Sequence, residues 1–151
     1  MENCYQALLQ YSLRLIARKR YTEQELKKKL IAKKVGDGND VINVIERLKE
    51  LKYVDDGSFA ADYISTRMKI SPKGKQMLKM ELRMKGVSSL LITDAIEKAD
   101  IDEESLAKRV ITKYEKRYIG LEKNKKKEKI MRLLISKGFK PDTIYKILDK
   151  C

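Results

Sequence analysis

The stretch LKELKYVDDGSFAADYISTR, residues 48–67, decides how the rest of the chain is interpreted. Its first half ends an apolar helix at Tyr53 and Val54, and two aspartates, Asp55 and Asp56, follow at once. A second helix is predicted to begin there, because aspartate accepts hydrogen bonds from the first amides of a helix and its charge suits the positive end of the helix dipole. The stretch is therefore predicted to join two helical units.

The aspartate pair also has a chemical interpretation. A catalytic or metal-binding pair needs further carboxylates or a histidine nearby, and the sequence shows none there. The same pattern returns at Ile101-Asp102-Glu103, where another helix is predicted to begin. The recurrence favours capping over chemistry at Asp55 and Asp56.

The composition is that of a helical protein with a large excess of positive charge. The 151 residues suffice for one domain or for a short array of small modules. With only two prolines, no tryptophan and 38% charged residues, the chain favours helix. The net charge of +13 indicates an anionic partner, such as nucleic acid, an acidic protein surface or an anionic membrane.

Sequence patterns for membranes and for enzymes are missing. No apolar run is long enough to span a bilayer, and the amphipathic N-terminal segment lacks a signal-peptide pattern, so we expect a cytoplasmic protein with no membrane partner. Cys4 and Cys151 lack the spacing of a zinc site, and histidine is absent. No phosphate-binding glycine loop or nucleophile motif occurs. We therefore expect a non-enzyme with no catalytic residue, no cofactor and no metal.

Apolar periodicity and start signals predict nine helices. Five residues are predicted to cap helix N-termini: Thr22, Asp55, Ser71, Ser88 and Asp102. Thr22 opens a capping box with Glu25, and Pro72 would occupy the first turn after Ser71, where its missing N–H is harmless. The lysine-rich residues 122–129 either extend helix seven or form a charged connector.

The chain contains an internal repeat. Three sets of apolar residues recur at steps of 52 residues: Leu30, Leu82 and Leu134; Leu26, Leu78 and Ile130; and Val35, Val87 and Phe139. The segment that starts at Val54 also matches the one that starts at Ile101, a step of 47 residues. The third unit therefore holds extra residues before its second helix, within residues 120–129.

The repeat predicts an all-α fold of three tandem three-helix modules, similar to helix-turn-helix units, in an elongated, curved array. The predicted modules are residues 1–53, 54–100 and 101–151. One such unit buries little core alone, so neighbouring modules are expected to pack directly. No unit shows a recognition helix rich in Arg, Asn and Gln, which makes sequence-specific DNA reading a weak prediction.

Phe59, Tyr63 and Arg67 lie on one face of the helix that follows the aspartates. The two aromatic residues are expected in the core. Arg67 lies one turn further along, where it either binds an acidic group or stacks on Tyr63, and the sequence leaves both open.

Basic residues form three groups along the chain. A charge run is usually a solvated helix face, but three groups with this net excess favour a long positive surface that binds a polyanion in a salt-dependent way. The candidates for binding a partner or DNA are Arg14, Arg18, Tyr63, Arg67, Lys73, Lys75, Lys79, Arg83, Lys108, Arg109, Lys113, Lys116 and Arg117.

Residues 48–67 resemble the signature of the RecX family, bacterial regulators of the RecA recombinase. The matching positions are Leu48, Leu51, Tyr53, Val54, Asp55, Asp56, Phe59, Ala60, Tyr63 and Arg67. The following SPKGKQMLKMELRMKGV, residues 71–87, resembles the family's second module. Lys34 and Lys52 stand where the family usually has glycine; both are at predicted helix ends, so they concern cap geometry more than function.

The resemblance implies a non-enzymatic modulator that binds in the groove of the RecA–DNA filament. It would inhibit the ATPase, strand-exchange and co-protease activities of the recombinase and so modulate DNA repair and the SOS response. The implied partners are the RecA filament and, through the basic surface, single- or double-stranded DNA; we expect a monomer. Two alternatives stay open: a basic helical nucleic-acid-binding module acting without a recombinase, and a helical scaffold for an acidic protein.

Overall fold

The computed structural model describes residues 3–149, which form nine α-helices and contain no strand. The helices are α1 (Cys4–Arg18), α2 (Glu23–Lys33), α3 (Gly38–Glu50), α4 (Asp56–Ile70), α5 (Lys75–Met84), α6 (Ser89–Ala99), α7 (Glu103–Tyr114), α8 (Lys123–Ser136) and α9 (Pro141–Asp149). A 3₁₀ turn, Glu115–Tyr118, follows α7. The all-α prediction is confirmed for the described residues.

Four of the predicted caps lie at the start of the helices they were expected to begin. Thr22 and Glu25 form a complete capping box, in which each side chain accepts a hydrogen bond of 3.1 Å from the other residue's amide. Side-chain oxygens of the other three accept amide hydrogens three residues on, at 3.1 Å for Asp55, 3.4 Å for Ser88 and 3.2 Å for Asp102. These bonds occupy amides that a helix leaves without internal partners.

The predicted cap at Ser71 is wrong, because α5 begins only at Lys75. The Ser71 amide donates to the carbonyl of Arg67 at 2.9 Å, so Ser71 continues the hydrogen bonding of α4. Gly74 precedes α5 instead, and its amide donates to the carbonyl of Lys137 at 2.9 Å. This backbone contact lies directly before the start of α5, and no sequence signal near Ser71 reveals it.

Both interpretations of the lysine-rich stretch are also wrong. The chain leaves α7 at Tyr114, and Gly120 adopts a φ of 88° before α8 begins at Lys123. The lysines therefore form the first two turns of α8. Glycine accepts this left-handed conformation at no steric cost, and the lysines and glutamate that follow have good helix propensity.

The described chain divides into two compact units. The first comprises the residues up to Ala60 together with Leu82–Ile92, and the second comprises Ala61–Glu81 together with the residues from Thr93 onward. In the first unit, α1, α2 and α3 contact one another around a core that includes Leu8, Leu26, Leu30, Val44 and Leu48. In the second, α7, α8 and α9 contact one another. The boundaries of the three modules stay a prediction.

The repeat is visible in burial and in backbone conformation. Leu30, Leu82 and Leu134 are all fully buried. After α2, α5 and α8, the chain takes a positive φ at three positions that also recur at steps of 52 residues: Lys34 at 57°, Gly86 at 89° and Gly138 at 85°. Lys52 has a φ of 64°, so both lysines that replace an expected glycine occupy left-handed positions.

Candidate partner-binding residues

Asp55 and Asp56 have two different structural roles. Asp55 caps α4, as described above. A carboxylate oxygen of Asp56 accepts the amide hydrogen of Glu23, the first residue of α2, at 2.9 Å. Burial raises the pKa of Asp56, while the Glu23 amide lowers it by less, so the net shift is upward. The pair joins the start of α4 to the start of α2, which is a structural arrangement.

Four side chains of the second unit, Tyr63, Arg67, Lys73 and Glu81, form what we call the Glu81 cluster. The Tyr63 hydroxyl donates to Glu81 at 2.6 Å, and the Lys73 ammonium pairs with the other oxygen of the same carboxylate. Arg67 Nε donates to the Tyr63 hydroxyl at 3.2 Å and lies 3.7 Å from Glu81. The Arg67 guanidinium also lies 5.3 Å from the Tyr63 ring centroid. Both options left open for Arg67 therefore occur within the chain.

The Glu81 carboxylate is ionised and well satisfied. Burial raises the pKa of Glu81, but the hydrogen bonds from Lys73 and Tyr63 and the nearby cations lower it by more, so its pKa lies below the ordinary value. Burial and the hydrogen bond to Glu81 raise the pKa of Tyr63. Because Glu81 already holds Arg67 and Lys73, these two cations have less charge to offer an outside partner than the sequence suggested.

A second group, the Tyr114 cluster, consists of Lys113, Tyr114, Arg117 and Lys137. The Lys113 and Lys137 ammonium nitrogens lie 5.6 and 5.4 Å from the Tyr114 ring centroid, and the Arg117 guanidinium carbon lies 4.7 Å from it. Lys113 and Arg117 are exposed, and Lys137 is half-buried. Two predicted candidates thus meet a third cation that comes from the end of α8.

The remaining candidates are dispersed. Arg109 donates to the carbonyls of Met68 and Lys69 at 2.8 and 3.4 Å, where it neutralises the negative end of α4, and Lys108 pairs with Glu104 at 3.5 Å. The others make no interaction of this kind with a carboxylate, and their exposure differs: Arg14, Arg18, Arg83 and Lys116 are exposed, and Lys75 and Lys79 are half-buried.

Sequence reasoning missed three residues that organise these groups. Glu81 matched the family's second module but was assigned no role, and Lys137 lies 20 residues beyond Arg117 in the chain. Glu103 is only 8% exposed; it accepts the Lys75 amide at 2.9 Å and the Thr143 hydroxyl at 3.2 Å. Only the position of Glu103 at the first turn of α7 carried a signal, and that signal indicated a solvent-facing anion.

Features that would indicate metal binding, membrane insertion or thiol chemistry are few in the part of the chain that the structure describes. Residues 3–149 contain no group of three or more Asp, Glu, Cys or His side chains able to hold a metal ion. None of their helices has the length and apolar character needed to cross a membrane. Cys4 is an exposed free thiol, and Cys151 lies outside the described residues.

Two family models match the chain. The model of the RecX second three-helix domain matches residues 55–96, and the model of the RecX third three-helix domain matches residues 102–148. The first match begins at the Asp55 cap and includes all of the Glu81 cluster. The second match includes all of the Tyr114 cluster. These matches define the class: a protein built from consecutive three-helix domains.

Relatives and solved structures agree with this class. The chain is 31% identical to the regulatory protein RecX of Actinobacillus pleuropneumoniae over 141 residues, which is 93% of this chain and 90% of the relative. It superposes on the crystal structure of RecX from Lactobacillus salivarius with a TM-score of 0.86 at 23% identity, over 97% of this chain and 96% of that one. A second crystal structure of a regulatory protein RecX gives a TM-score of 0.84 over 97% of this chain and 72% of that one, at 24% identity. The chain belongs to the RecX family.

Family members differ in length. The chain is also 31% identical to the regulatory protein RecX of Leuconostoc mesenteroides over 143 residues, but these cover only 53% of that relative against 94% of this chain. The chain therefore spans about half the length of some relatives and nearly the whole length of others.

Proposed function

We propose that this chain is a non-enzymatic regulator that binds the RecA–DNA filament and inhibits its ATPase, strand-exchange and co-protease activities. Through these effects it would modulate DNA repair and the SOS response. The observation that carries the proposal is the 31% identity to a regulatory protein RecX over 93% of the chain. We further propose that it acts as a cytoplasmic monomer.

The charge of the chain supports this function. A DNA filament carries a phosphate backbone, and a net charge of +13 suits such an anionic partner. The exposed cations Arg14, Arg18, Arg83 and Lys116 are suited to contact such a partner. Arg67 and Lys73 would contribute less, because Glu81 pairs with both of them inside the chain.

The proposal is tested by ATP hydrolysis. Increasing amounts of the pure chain are added to filaments of a bacterial RecA recombinase on single-stranded DNA, and the steady-state hydrolysis rate is measured. We expect the rate to fall at substoichiometric to near-stoichiometric amounts of the chain. An unchanged rate across the titration at low salt contradicts the proposal.

The variants for this titration follow from the internal contacts. Reversing the charge of Arg67 or Lys73 would place new carboxylates beside Glu81, so a loss of inhibition could reflect unfolding. Reversal at Arg14 and Arg18 disturbs no ion pair of the described residues and is expected to weaken inhibition in a folded protein. Reversal at Lys98, an exposed residue of α6 that pairs with Asp94 at 3.0 Å, gives a comparison outside the candidate residues.

The second candidate function is a nucleic-acid-binding module that acts without a recombinase. The Tyr114 cluster favours it, because three cations converge there without a carboxylate partner in the described chain. Tight binding to bare DNA together with no effect on the recombinase would support this alternative over filament regulation.

A further inference from the structure

The Tyr114 cluster has the geometry of an anion-binding site. We propose that Lys113, Arg117 and Lys137, held around the ring of Tyr114, bind the phosphodiester backbone of a nucleic acid. This inference deepens the proposed function and rests on it for the biological source of the phosphodiester, the DNA of the filament. Binding to the bare strand needs no recombinase and is tested separately.

The three cations surround one aromatic ring. Their charged atoms lie between 4.7 and 5.6 Å from the centroid of one ring. The Debye length at physiological salt is about 8 Å, so an anion beside the ring would feel all three charges with little screening. The like charges repel one another until an anion binds, which makes the site favourable for a phosphate and costly to leave vacant.

Other cations of the same unit form ion pairs with carboxylates of the chain, which is a structural role. Lys98 pairs with Asp94 at 3.0 Å, Lys108 with Glu104 at 3.5 Å, and Arg132 with Glu128 at 2.6 Å. The two residues of each pair lie four positions apart on one helix and neutralise each other's charge. Within the described residues, no carboxylate lies within ion-pair distance of Lys113, Arg117 or Lys137. The Tyr114 cluster is thus a concentration of uncompensated positive charge.

The local fold orders these side chains in advance. Lys113 and Arg117 lie four residues apart, at the end of α7 and in the 3₁₀ turn, and Lys137 caps the C-terminus of α8. The half-buried Tyr114 ring contacts all three charged groups through cation–π interactions. Side chains that are already ordered lose less entropy when they bind, so the ring pre-organises the site.

The start of α8 provides a second, independent sign of a polyanion. Its first turns carry Lys123, Lys125, Lys126 and Lys127 and no acidic residue in the first turn, at the end of the helix where the dipole is already positive. The N-cap residue Glu122 supplies one negative charge against these four lysines, and nearby phosphates would relieve the remaining repulsion. A long backbone with a charge on every nucleotide can serve both this end of α8 and the Tyr114 cluster, whereas a single free phosphate cannot.

The test compares two variants that lose the same charges. One is K113Q/R117Q/K137Q in the cluster, and the other is K49Q/K98Q/R132Q, three cations outside the candidate residues that carboxylates of the chain neutralise; Lys49 lies 3.5 Å from both Glu23 and Glu46. Each removes two lysines and one arginine, so net charge is matched. Binding to a fluorescein-labelled single-stranded oligonucleotide is followed by anisotropy over a range of salt concentrations, and circular dichroism checks that each variant is folded.

We expect the cluster variant to bind more weakly and to lose about 2 from the slope of log K against log salt, since each lost phosphate contact removes about 0.7. The matched variant should keep most of the wild-type slope. A charge-conserving variant, K113R/R117K/K137R, should restore it. Equal slopes for the cluster variant and the wild type would overturn the proposal, as would an equal loss in both glutamine variants.

Competitors identify the chemistry of the ligand. Unlabelled DNA should displace the probe, whereas inorganic phosphate or polyglutamate at the same charge concentration should displace it poorly. Efficient displacement by phosphate would assign the site to a free anion, and efficient displacement by polyglutamate to an acidic protein, so either overturns the inference. If the slopes behave as expected but wild type leaves RecA ATP hydrolysis unchanged, the site stands and the proposed function fails.

Discussion

The hydroxyl of Tyr63 donates a 2.6 Å hydrogen bond to the carboxylate of Glu81, and so links α4 to α5 within the second unit. The Glu81 side chain is only 16% exposed, and Lys73 and Arg67 complete its surroundings. A carboxylate buried to this extent is stable only when its oxygens are hydrogen-bonded and its charge is balanced. The cluster built on the family signature therefore has a clear role in holding the fold.

Substituting Glu81 should destabilise the protein in a pH-dependent way. We expect Glu81→Gln to lower the free energy of unfolding by about 1–3 kcal/mol at neutral pH, since charge-assisted hydrogen bonds are lost. The pKa of Glu81 is lowered in the folded state, so its stabilising effect is complete above the ordinary value of 4.5 and is lost as pH falls through the folded-state value. Urea unfolding of both proteins at several pH values should show the difference shrinking in acid.

Glu50→Gln is the control for this measurement. Glu50 forms an exposed ion pair with Arg47 at 3.2 Å, and exposed pairs contribute about 0–1 kcal/mol. An effect of Glu81→Gln no larger than that of Glu50→Gln, or one that does not shrink in acid, would show that the cluster does not stabilise the fold.

Glycine at either left-handed lysine should stabilise the protein. Lys34 and Lys52 have φ values of 57° and 64°, which cost a side-chain-bearing residue about 1–2 kcal/mol. Because glycine also loses more entropy on folding, we expect Lys34→Gly and Lys52→Gly each to raise the free energy of unfolding by roughly 0.5–1 kcal/mol. The reverse change, Gly86→Lys at a φ of 89°, should be strongly destabilising. Destabilisation by both glycine variants in chemical denaturation would contradict this account.

Adding one methyl group at Gly74 should have a large effect. A Cβ there would clash with the carbonyl of Gly138, next to the hydrogen bond from the Gly74 amide to the Lys137 carbonyl. We expect Gly74→Ala to cost about 1–3 kcal/mol. Gly38→Ala is the matched control, because a Cβ on Gly38 meets nothing within 4 Å in the first turn of α3. Thermal unfolding should show the control unchanged or slightly more stable; similar melting temperatures for both variants would refute the close approach.

The buried Glu103 carboxylate should stabilise the fold through its two hydrogen bonds. Its carboxylate binds the Lys75 amide and the Thr143 hydroxyl, so Glu103→Ala leaves both donors without this acceptor. We expect a loss of about 1–3 kcal/mol in the free energy of unfolding. Thr143→Val removes only one of the two bonds and should cost less. If Thr143→Val costs as much as Glu103→Ala, the Lys75 amide is not stabilised by Glu103.

The repeat was predictable because it depends on local signals. Leu30, Leu82 and Leu134 recur where a helix must bury one face, and all three are fully buried. The cap at Asp55 was predictable because it depends only on residues within four positions of one another in the sequence. Lys34 and Lys52 were expected to concern cap geometry, since both stand at helix ends where the family usually has glycine, and the structure gives both a positive φ.

Contacts between residues distant in sequence could not be predicted in this way. Ser71 and Pro72 carry a good helix-start signal, yet α5 begins at Lys75, directly after the residue whose amide bonds to Lys137. In the sequence Arg67 is one of many cations, and only the structure shows that it lies 3.7 Å from the Glu81 carboxylate. A single sequence lists charges, but only the fold shows which charges neutralise one another, so the candidate site was predicted far less completely than the fold.

Filament regulation is tested most directly by comparing two binding measurements. The fluorescently labelled chain is titrated with RecA filaments assembled on single-stranded DNA and with the same DNA alone, both at physiological salt. Regulation of the filament predicts binding to the filament at least about tenfold tighter than binding to bare DNA, a difference of about 1.4 kcal/mol. Equal affinities, or tighter binding to the bare strand, would contradict filament regulation and support a nucleic-acid-binding module that acts without a recombinase.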